Sequence, residues 1–259
     1  MLELYHWESN GACARVLITL KEKGLSFTSR YTDVLAFEQH APEILALNPS
    51  GELPVLVADG QAMFESSYIC EFLEEAYPEP ALMPCDPLER WEARVWQKNV
   101  DDYVAAAVSD LAWHAYGRPA LEDRNRGRNS ASIDEAVARI PSPERRQAWV
   151  EAVAGLSPER MDKSRGRMAD LVARIEKDLG RAGWLAGTAY SLADIAVYPY
   201  VAYLPKLAPD LVSRGASPNT VAWLDKIAAR PAVKAALAMG KGADPFTVAA
   251  PGPEHVRWG

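Results

Sequence analysis

Residues 48–66 constrain the fold of this chain more than any other stretch. Val55–Val57 is apolar and β-branched, and the Asp59-Gly60 dipeptide that follows is typical of a tight hairpin turn. Glu65–Ser67 then opens an apolar-periodic segment that Pro78 ends. The sequence therefore predicts a two-stranded hairpin that leads directly into a helix.

Pro54, at the head of the first of these strands, has no N–H to donate to a sheet, so it belongs at an edge or in a special turn. We expect a cis Leu53–Pro54 bond, which would turn the N–H and C=O of Leu53 outward, where a bound peptide could pair with them. A helix that begins at Ser66 offers unpaired N–H groups to a carboxylate. Together these features predict a receptor for a small anionic peptide.

Composition excludes several functional classes. The formal net charge of −7 over 259 residues argues against a nucleic-acid partner, because phosphate backbones require a basic surface. Apolar runs are too short to span a membrane, and the N-terminal residues lack the pattern of a secretory signal. The three cysteines, 13, 70 and 85, lie far apart, which favours free thiols in a reducing compartment over disulfides or a metal site. We expect a cytoplasmic protein without metal.

The first eighty residues alternate strand and helix patterns. Strands are predicted at Leu2–Trp7 and Ser26–Asp33, and helices at Ala12–Lys23 and Phe37–Leu47. With the hairpin, residues 1–80 make an α/β domain with a four-stranded sheet.

Four prolines between Pro78 and Pro87 exclude regular structure and mark a linker, placed at 81–87. Residues 88–240 have helical periodicity and form a second, all-helical domain, with a polar excursion at about 117–157. The end of the chain, 241–259, contains proline and glycine and is interpreted as a poorly anchored tail.

Ser191 and Asp194 form a capping box before the apolar run that starts at Ile195. Such a box is common and, taken alone, indicates only where a helix begins. Here it marks the start of a buried helix of the second domain.

The hairpin with Pro54, the helix start at Glu65-Ser66 and the capping box together resemble the glutathione transferases, over most of the chain. The resemblance implies a thioredoxin-like N-terminal domain, a C-terminal helical bundle and glutathione as co-substrate. Phe37–His40, Arg94–Tyr103 and Tyr190–Ile195 are similar to segments of the bacterial β-aryl-etherases. That branch implies cleavage of β-aryl ethers of lignin-derived aromatic dimers, in which the glutathione thiolate displaces a phenol.

Ala12-Cys13 departs from the etherase pattern, which has a Ser or Asn pair there. Two alternatives therefore stay open. One is a glutathione-dependent reductive dehalogenase or general transferase that uses Cys13. The other is a binding subunit with little activity alone, since the resemblance implies either a homodimer or a heterodimer with a related transferase.

By the resemblance, Glu65 pairs with the γ-glutamyl ammonium of glutathione and Ser66 binds the adjacent carboxylate. Leu53 binds the cysteinyl backbone, with Pro54 fixing its geometry. Gln39 and His40 sit where the glycine end should lie.

Cys13 is predicted in the first turn of a helix, where the dipole and free N–H groups lower a thiol pKa. It would act either as a partner of the glutathione sulfur or as a nucleophile that forms a mixed disulfide with it. Ser9 and Asn10 are substitute polar groups near the sulfur. Cys70 is expected to be a buried filler and Cys85 inert.

The small aromatic electrophile should bind between the domains. Aromatic stripes belong to the core more often than to a pocket, so only some of the candidates are expected to face the substrate. The candidates are Trp7, Trp113, His114, Tyr116, Tyr198, Tyr200 and Tyr203.

Overall fold

The N-terminal part of the computed structural model, which describes residues 1–125 and 131–247, is built on one four-stranded sheet. Its strands run in the order β2-β1-β3-β4, with β1 parallel to β2 and antiparallel to β3. The elements are β1 Leu2–His6, α1 Gly11–Glu22, β2 Thr28–Tyr31, α2 Pro42–Leu47, β3 Val55–Ala58, β4 Gln61–Met63 and α3 Ser66–Ala76.

The predicted hairpin and helix start are confirmed. Asp59 and Gly60 both have positive φ, 49° and 85°, as the turn between β3 and β4 requires. The Leu53–Pro54 bond is cis, as predicted, and α3 begins at Ser66. The hairpin of β3 and β4 therefore leads directly into the N-terminus of α3.

The helix predicted at Phe37–Leu47 is wrong in its first half. Two short 3-10 turns, Val34–Ala36 and Glu38–His40, precede α2 instead. Phe37 between them has a left-handed φ of 59°, and Ala41 is extended with ψ of 146°. The physical reason is Pro42, because proline disfavours the α conformation in the residue before it.

Helices make up the rest of the chain. They are α4 Pro87–Asn99, α5 Ala105–Ala112, α6 Arg118–Arg124, α7 Ala131–Ala138, α8 Pro143–Ala154, α9 Pro158–Ala182, α10 Leu192–Val201, α11 Leu204–Leu207, α12 Pro218–Ala228 and α13 Pro231–Leu237. Two π-helical turns, Val100–Val104 and Trp113–Gly117, join α4, α5 and α6 into one run. The polar excursion therefore starts as helix and also contains α7 and α8. None of the described helices is long and apolar enough to cross a membrane.

The capping box is confirmed at the start of α10, which is buried along its whole length. This helix packs on α1 and α4, and so joins the two parts of the molecule in one core. A second, smaller cluster forms where the excursion meets the sheet domain. It contains Trp7, Cys13, Val34, Trp113, Leu121, Val137, Ile140, Trp149 and Ala152.

Candidate active site

The N-terminus of α3 lies beside the cis peptide bond, as expected of a site for an anionic peptide. Glu65 precedes the helix with φ of 68°, an uncommon backbone conformation for a residue that is not glycine. Such conformations persist where the surrounding structure enforces them, and they concentrate at ligand sites. Ser66 is the first helical residue and is largely buried. The geometry thus presents backbone N–H groups and one hydroxyl at a single point.

Arg15, which was not among the predicted site residues, lies directly beneath this point. Its guanidinium donates to Ser66 Oγ at 3.2 Å and to Ser67 Oγ at 2.7 Å. It also pairs with Asp101 Oδ1 at 2.5 Å, and Ser67 donates its hydroxyl proton to the same carboxylate. Burial works against the charge of Arg15, but Asp101 outweighs it and the pKa of the guanidinium is raised.

This network has a direct consequence for the Ser66 hydroxyl. Because Arg15 occupies a lone pair of Ser66 Oγ, the hydroxyl proton of Ser66 is free to point to a bound anion. Asp101 belongs to the first π-helical turn, so an irregular turn of the helical domain supports the candidate anion site of the sheet domain. Arg15 is a charged residue within the apolar stripe of the predicted helix Ala12–Lys23, and this was the signal available in the sequence.

Cys13 lies in the first turn of α1, as predicted, but its expected low pKa is wrong. Burial raises the pKa of the thiol to about 12, although the N–H of Trp7 donates to Cys13 Sγ at 3.4 Å and opposes the shift. The nearby carboxylate of Glu8 raises it further. The thiol is therefore neutral at physiological pH and can donate a weak S–H hydrogen bond.

Ser9 and Asn10 form the end of the loop between β1 and α1, and both are buried. Within the described part of the chain, Ser9 Oγ has no hydrogen-bond partner. Asn10 is engaged elsewhere: its Nδ2 donates to the carbonyl of Pro245 at 3.0 Å. Ser9 thus stays a candidate for contact with the glutathione sulfur, whereas Asn10 holds the loop in place.

Gln39 and His40 lie in the second 3-10 turn, where both are buried. A Cβ added at Gly51, which has φ of 71°, would lie 2.5 Å from His40 Nδ1, so only glycine fits at this position of the loop. His40 therefore packs against the loop that leads directly to Leu53 and the cis bond. The role of Gln39 and His40 in glutathione binding stays a prediction.

The excursion docks on this same loop through Arg145, another residue that was not predicted. Arg145 in α8 is buried, pairs with Glu52 Oε1 at 2.5 Å and donates to the carbonyl of Ser50. Arg124 belongs to a basic cluster of the sequence together with Arg126 and Arg128, and it pairs with Asp33 at 2.7 Å; the other two arginines lie outside the described residues. The described part of the cluster therefore contributes to docking of the excursion.

Most of the predicted pocket aromatics pack in the interior. Trp113 stacks edge-on against Trp149 with 5.2 Å between ring centroids, and its indole N–H donates to the carbonyl of Ala152. Trp7 packs on Tyr31 at 5.5 Å. Tyr203 is fully buried beneath Phe246, so the expectation of a pocket position for it is not supported.

The rest of the predicted aromatic set divides between surface and core. His114 is exposed and Tyr116 half-buried. Tyr198 and Tyr200 are buried in α10. Trp7 and Trp113 both share the cluster that contains Cys13, and the backbone N–H of Trp7 also donates to Cys13 Sγ.

The interpretation of the chain end as a poorly anchored tail is wrong for residues 241–247; residues 248–259 lie outside the described part. The N–H groups of Lys241 and Gly242 both donate to Glu8 Oε2, at 2.9 and 3.1 Å. Phe246 packs on Tyr198 and Tyr203. This segment covers the loop that precedes α1.

Comparison with known proteins identifies the family to which these features belong. The model of the glutathione S-transferase N-terminal domain matches residues 4–81, and that of the C-terminal domain matches residues 105–231. Protein LigF of Sphingobium sp. strain SYK-6 is 36% identical over 239 residues, which cover 90% of this chain and 91% of LigF. The maleylacetoacetate isomerase of Pseudomonas aeruginosa is 28% identical over 239 residues, covering 91% of this chain and 95% of the isomerase.

The crystal structure of the β-etherase LigF superimposes with a TM-score of 0.86, covering 92% of this chain and 99% of LigF. A glutathione transferase homologue from Sulfitobacter with bound glutathione has a TM-score of 0.65 at 20% identity, covers 91% of this chain and 96% of its own, and supports the fold alone. The thioredoxin-like sheet domain and the helical domain are those of this family, whose co-substrate is glutathione. The chain therefore belongs to the glutathione transferases, an enzyme family.

Proposed function

We propose that this enzyme cleaves β-aryl ethers of lignin-derived aromatic dimers, with glutathione as the nucleophile. The observation that carries the proposal is the similarity to the β-etherase LigF, at 36% identity and a TM-score of 0.86 over nearly the full length.

Each end of glutathione has candidate partners. The Glu65 carboxylate would pair with the γ-glutamyl ammonium, and the Ser66 hydroxyl and N–H would bind the neighbouring carboxylate. The outward-turned backbone of Leu53, fixed by Pro54, would pair with the cysteinyl residue. Gln39 and His40 would hydrogen-bond the glycine carboxylate.

In the reaction the glutathione thiolate attacks the carbon that bears the aryloxy group and lies next to a carbonyl. The new C–S bond forms as the C–O bond breaks, and the phenolate leaves with the bonding pair and takes up a proton from water. Cys13 would donate its S–H to the thiolate and Ser9 its O–H, and neither would be consumed. Orientation and exclusion of water, more than acid–base catalysis, would supply the rate.

The raised pKa of Cys13 argues against the reductive dehalogenase alternative. A cysteine that resolves a glutathionyl product must attack as a thiolate, and a thiol with a pKa of about 12 is almost fully protonated near neutral pH. The partner-subunit alternative depends on assembly. We propose a homodimer or a heterodimer with a related transferase, in which exposed aromatic residues such as Phe64, Tyr68 and Trp91 would be covered.

We also propose a cytoplasmic location. Cys13, Cys70 and Cys85 are all free thiols, two of them buried, as suits a protein of a reducing compartment.

The test is a stereochemically resolved assay. Purified protein is incubated with glutathione and with each enantiomer of a β-aryloxy ketone, and the released phenol and the glutathione thioether are quantified together by chromatography. We expect equimolar phenol and thioether from at least one enantiomer, and strongly reduced product with the Ser66→Ala variant at limiting glutathione.

Other outcomes would contradict the proposal. Glutathione binding without phenol release from either enantiomer would exclude ether cleavage by this chain alone. Turnover of a halogenated hydroquinone that stops at the glutathionyl conjugate in Cys13→Ser would favour the dehalogenase. No turnover of either substrate class would favour the partner subunit.

A further inference from the structure

Glu8 is a buried acidic residue of the loop between β1 and α1, two positions beyond the end of β1. Three groups donate to its carboxylate. Tyr31 donates its hydroxyl to Oε1 at 2.6 Å, and the N–H groups of Lys241 and Gly242 donate to Oε2 at 2.9 and 3.1 Å. Two of the three come from the far end of the chain. Glu8 therefore joins the loop before α1 to residues more than two hundred positions away.

The segment Gly240–Thr247, here called the C-terminal segment, lies closely against this loop. The carbonyl of Pro245 accepts from Asn10 Nδ2, and Phe246 packs edge-on against Tyr203 with 5.4 Å between ring centroids. A Cβ added at Gly240 would overlap Glu8 Oε2 and lie 3.1 Å from the backbone N of Ser9. The contact therefore tolerates no side chain at that position without a shift.

We propose that Glu8 is a positioning residue for the transfer reaction: by holding the C-terminal segment against the loop, it fixes Ser9 and Asn10 beside Cys13. The proposal rests on the proposed function only in placing the glutathione sulfur at the N-terminus of α1. It adds a residue and a segment that act on the sulfur end of the site without binding glutathione.

The physical argument has two parts. Carboxylate acceptors make stronger hydrogen bonds to backbone N–H groups than neutral acceptors do, and the acceptor here, the Glu8 carboxylate, is buried. The loop itself has few internal restraints: among its described backbone bonds, the N–H of Asn10 donates to the carbonyl of Glu8 at 2.8 Å. The C-terminal segment therefore supplies restraint that the loop cannot supply for itself.

Lys241 contributes a second anchor on the same side. Its ammonium lies 3.8 Å from the centre of the Tyr31 ring, so its positive charge stays near the Glu8 carboxylate that Tyr31 also contacts. Farther along, Lys206 pairs with Asp244. The segment is thus held at both ends, and Glu8 is the buried acceptor at the end that touches the loop.

Three variants test the proposal. Glu8→Ala removes the acceptor, whereas Glu8→Gln keeps one oxygen for the two N–H groups and can donate its amide to the Tyr31 oxygen. Gly240→Ala displaces the segment from its own side and leaves Glu8 intact. The controls are Gly166→Ala, where an added Cβ meets open space, and Glu3→Gln, which removes a carboxylate of β1 whose partner Arg30 is exposed.

Three measurements are made on each full-length protein: glutathione affinity by calorimetry, kcat with any aromatic electrophile the unmodified enzyme turns over, and amide hydrogen exchange by mass spectrometry. For Glu8→Ala and Gly240→Ala we expect kcat to fall about tenfold or more, since small misplacements of catalytic groups are costly. Glutathione affinity should change less than about twofold, because the anchors at Leu53 and Ser66 are untouched. In both variants, amide hydrogen exchange should rise together in residues 8–14 and in residues 240–247.

Glu8→Gln should restore most of the rate and the protection, and both controls should behave as the unmodified enzyme. Unchanged exchange in 8–14 in Glu8→Ala would overturn the proposal, as would losses of glutathione affinity that match the losses of kcat. If the enzyme turns over no electrophile, the proposed function fails, but exchange and affinity still decide this inference. If Glu8→Ala does not fold, the Gly240→Ala and Glu8→Gln proteins carry the test.

Discussion

Replacing Arg15 by methionine should damage both the stability of the protein and its glutathione site, and the two effects should be separable. Arg15 is almost fully buried, pairs with Asp101 and donates to Ser66 and Ser67. Methionine fills similar volume without charge, so the variant leaves the Asp101 carboxylate in a largely buried position without its cation.

The expected magnitude follows from this arrangement. Removing one partner of a buried ion pair costs about 3–5 kcal/mol, and the partial exposure of the Asp101 side chain, 20%, favours the lower end. The double variant Arg15→Met/Asp101→Leu removes both charges and should recover about 0.5–3 kcal/mol of that loss, which is the range of coupling energies for residues in contact.

Glutathione affinity should respond differently. In both the single and the double variant, Ser66 Oγ lacks its donor, and the hydroxyl no longer has one preferred orientation. We expect the loss of about 1.5 kcal/mol, or about tenfold in Kd, to persist in the double variant although its stability recovers. A merely structural role for Arg15 would instead make affinity follow stability.

The assay is urea unfolding followed by tryptophan fluorescence, with calorimetric titration of glutathione on the same samples. Arg94→Met is the matched control, because Arg94 pairs with Glu71 at the surface, where such pairs contribute about 0–1 kcal/mol. Wild-type affinity in Arg15→Met, or recovery of affinity in the double variant, would refute the reasoning.

Three further predictions follow from individual residues. Ser66→Ala and Glu65→Gln should each weaken glutathione binding about tenfold or more, and Cys13→Ala less, because we propose that the first two residues hold charged ends of the ligand; calorimetry on all three variants decides it. Since burial raises the pKa of Cys13 to about 12, iodoacetamide should alkylate the exposed Cys85 far faster, and peptide mass spectrometry that finds equal rates would contradict this. Burial also raises the pKa of Asp194 from 3.8 to about 6, so the folded state binds its proton more tightly than the unfolded chain, and stability should fall as pH rises through that window. Asp194→Ala leaves the donors around residue 194 without their acceptor, so it should lower Tm with little change in turnover per folded molecule. The variant should also lose this dependence of stability on pH, which melting curves at about pH 4 and pH 7 would reveal.

The features read correctly from the sequence are those encoded over short distances. The hairpin at Asp59-Gly60, the helix start at Ser66 and the capping box at Ser191 each depend on residues within a few positions of one another. Turn chemistry and capping act locally, so one sequence suffices to predict them.

The features that were missed depend on partners far away in the chain. Arg15 meets Asp101 across 86 positions, Arg145 meets Ser50 across 95, and Glu8 meets Lys241 across 233. Helical periodicity indicates that a position is buried, but it does not say which charge will meet it there. The error on Cys13 has the same origin, because the helix N-terminus was visible in the sequence and the burial that overrides it was not.

Local contacts and contacts between residues far apart in the chain therefore build two different halves of the candidate site. The half proposed to bind glutathione, from Leu53 to Ser66, is built within one hairpin and one helix start. The other half is formed by segments docked onto the first: the excursion through Arg145 and the C-terminal segment through Glu8. Because each docked segment is held by a few buried polar contacts, its side chains can change without altering the glutathione anchors. Differences in electrophile preference among related transferases should therefore concentrate in such docked segments, while glutathione binding stays with the hairpin and helix.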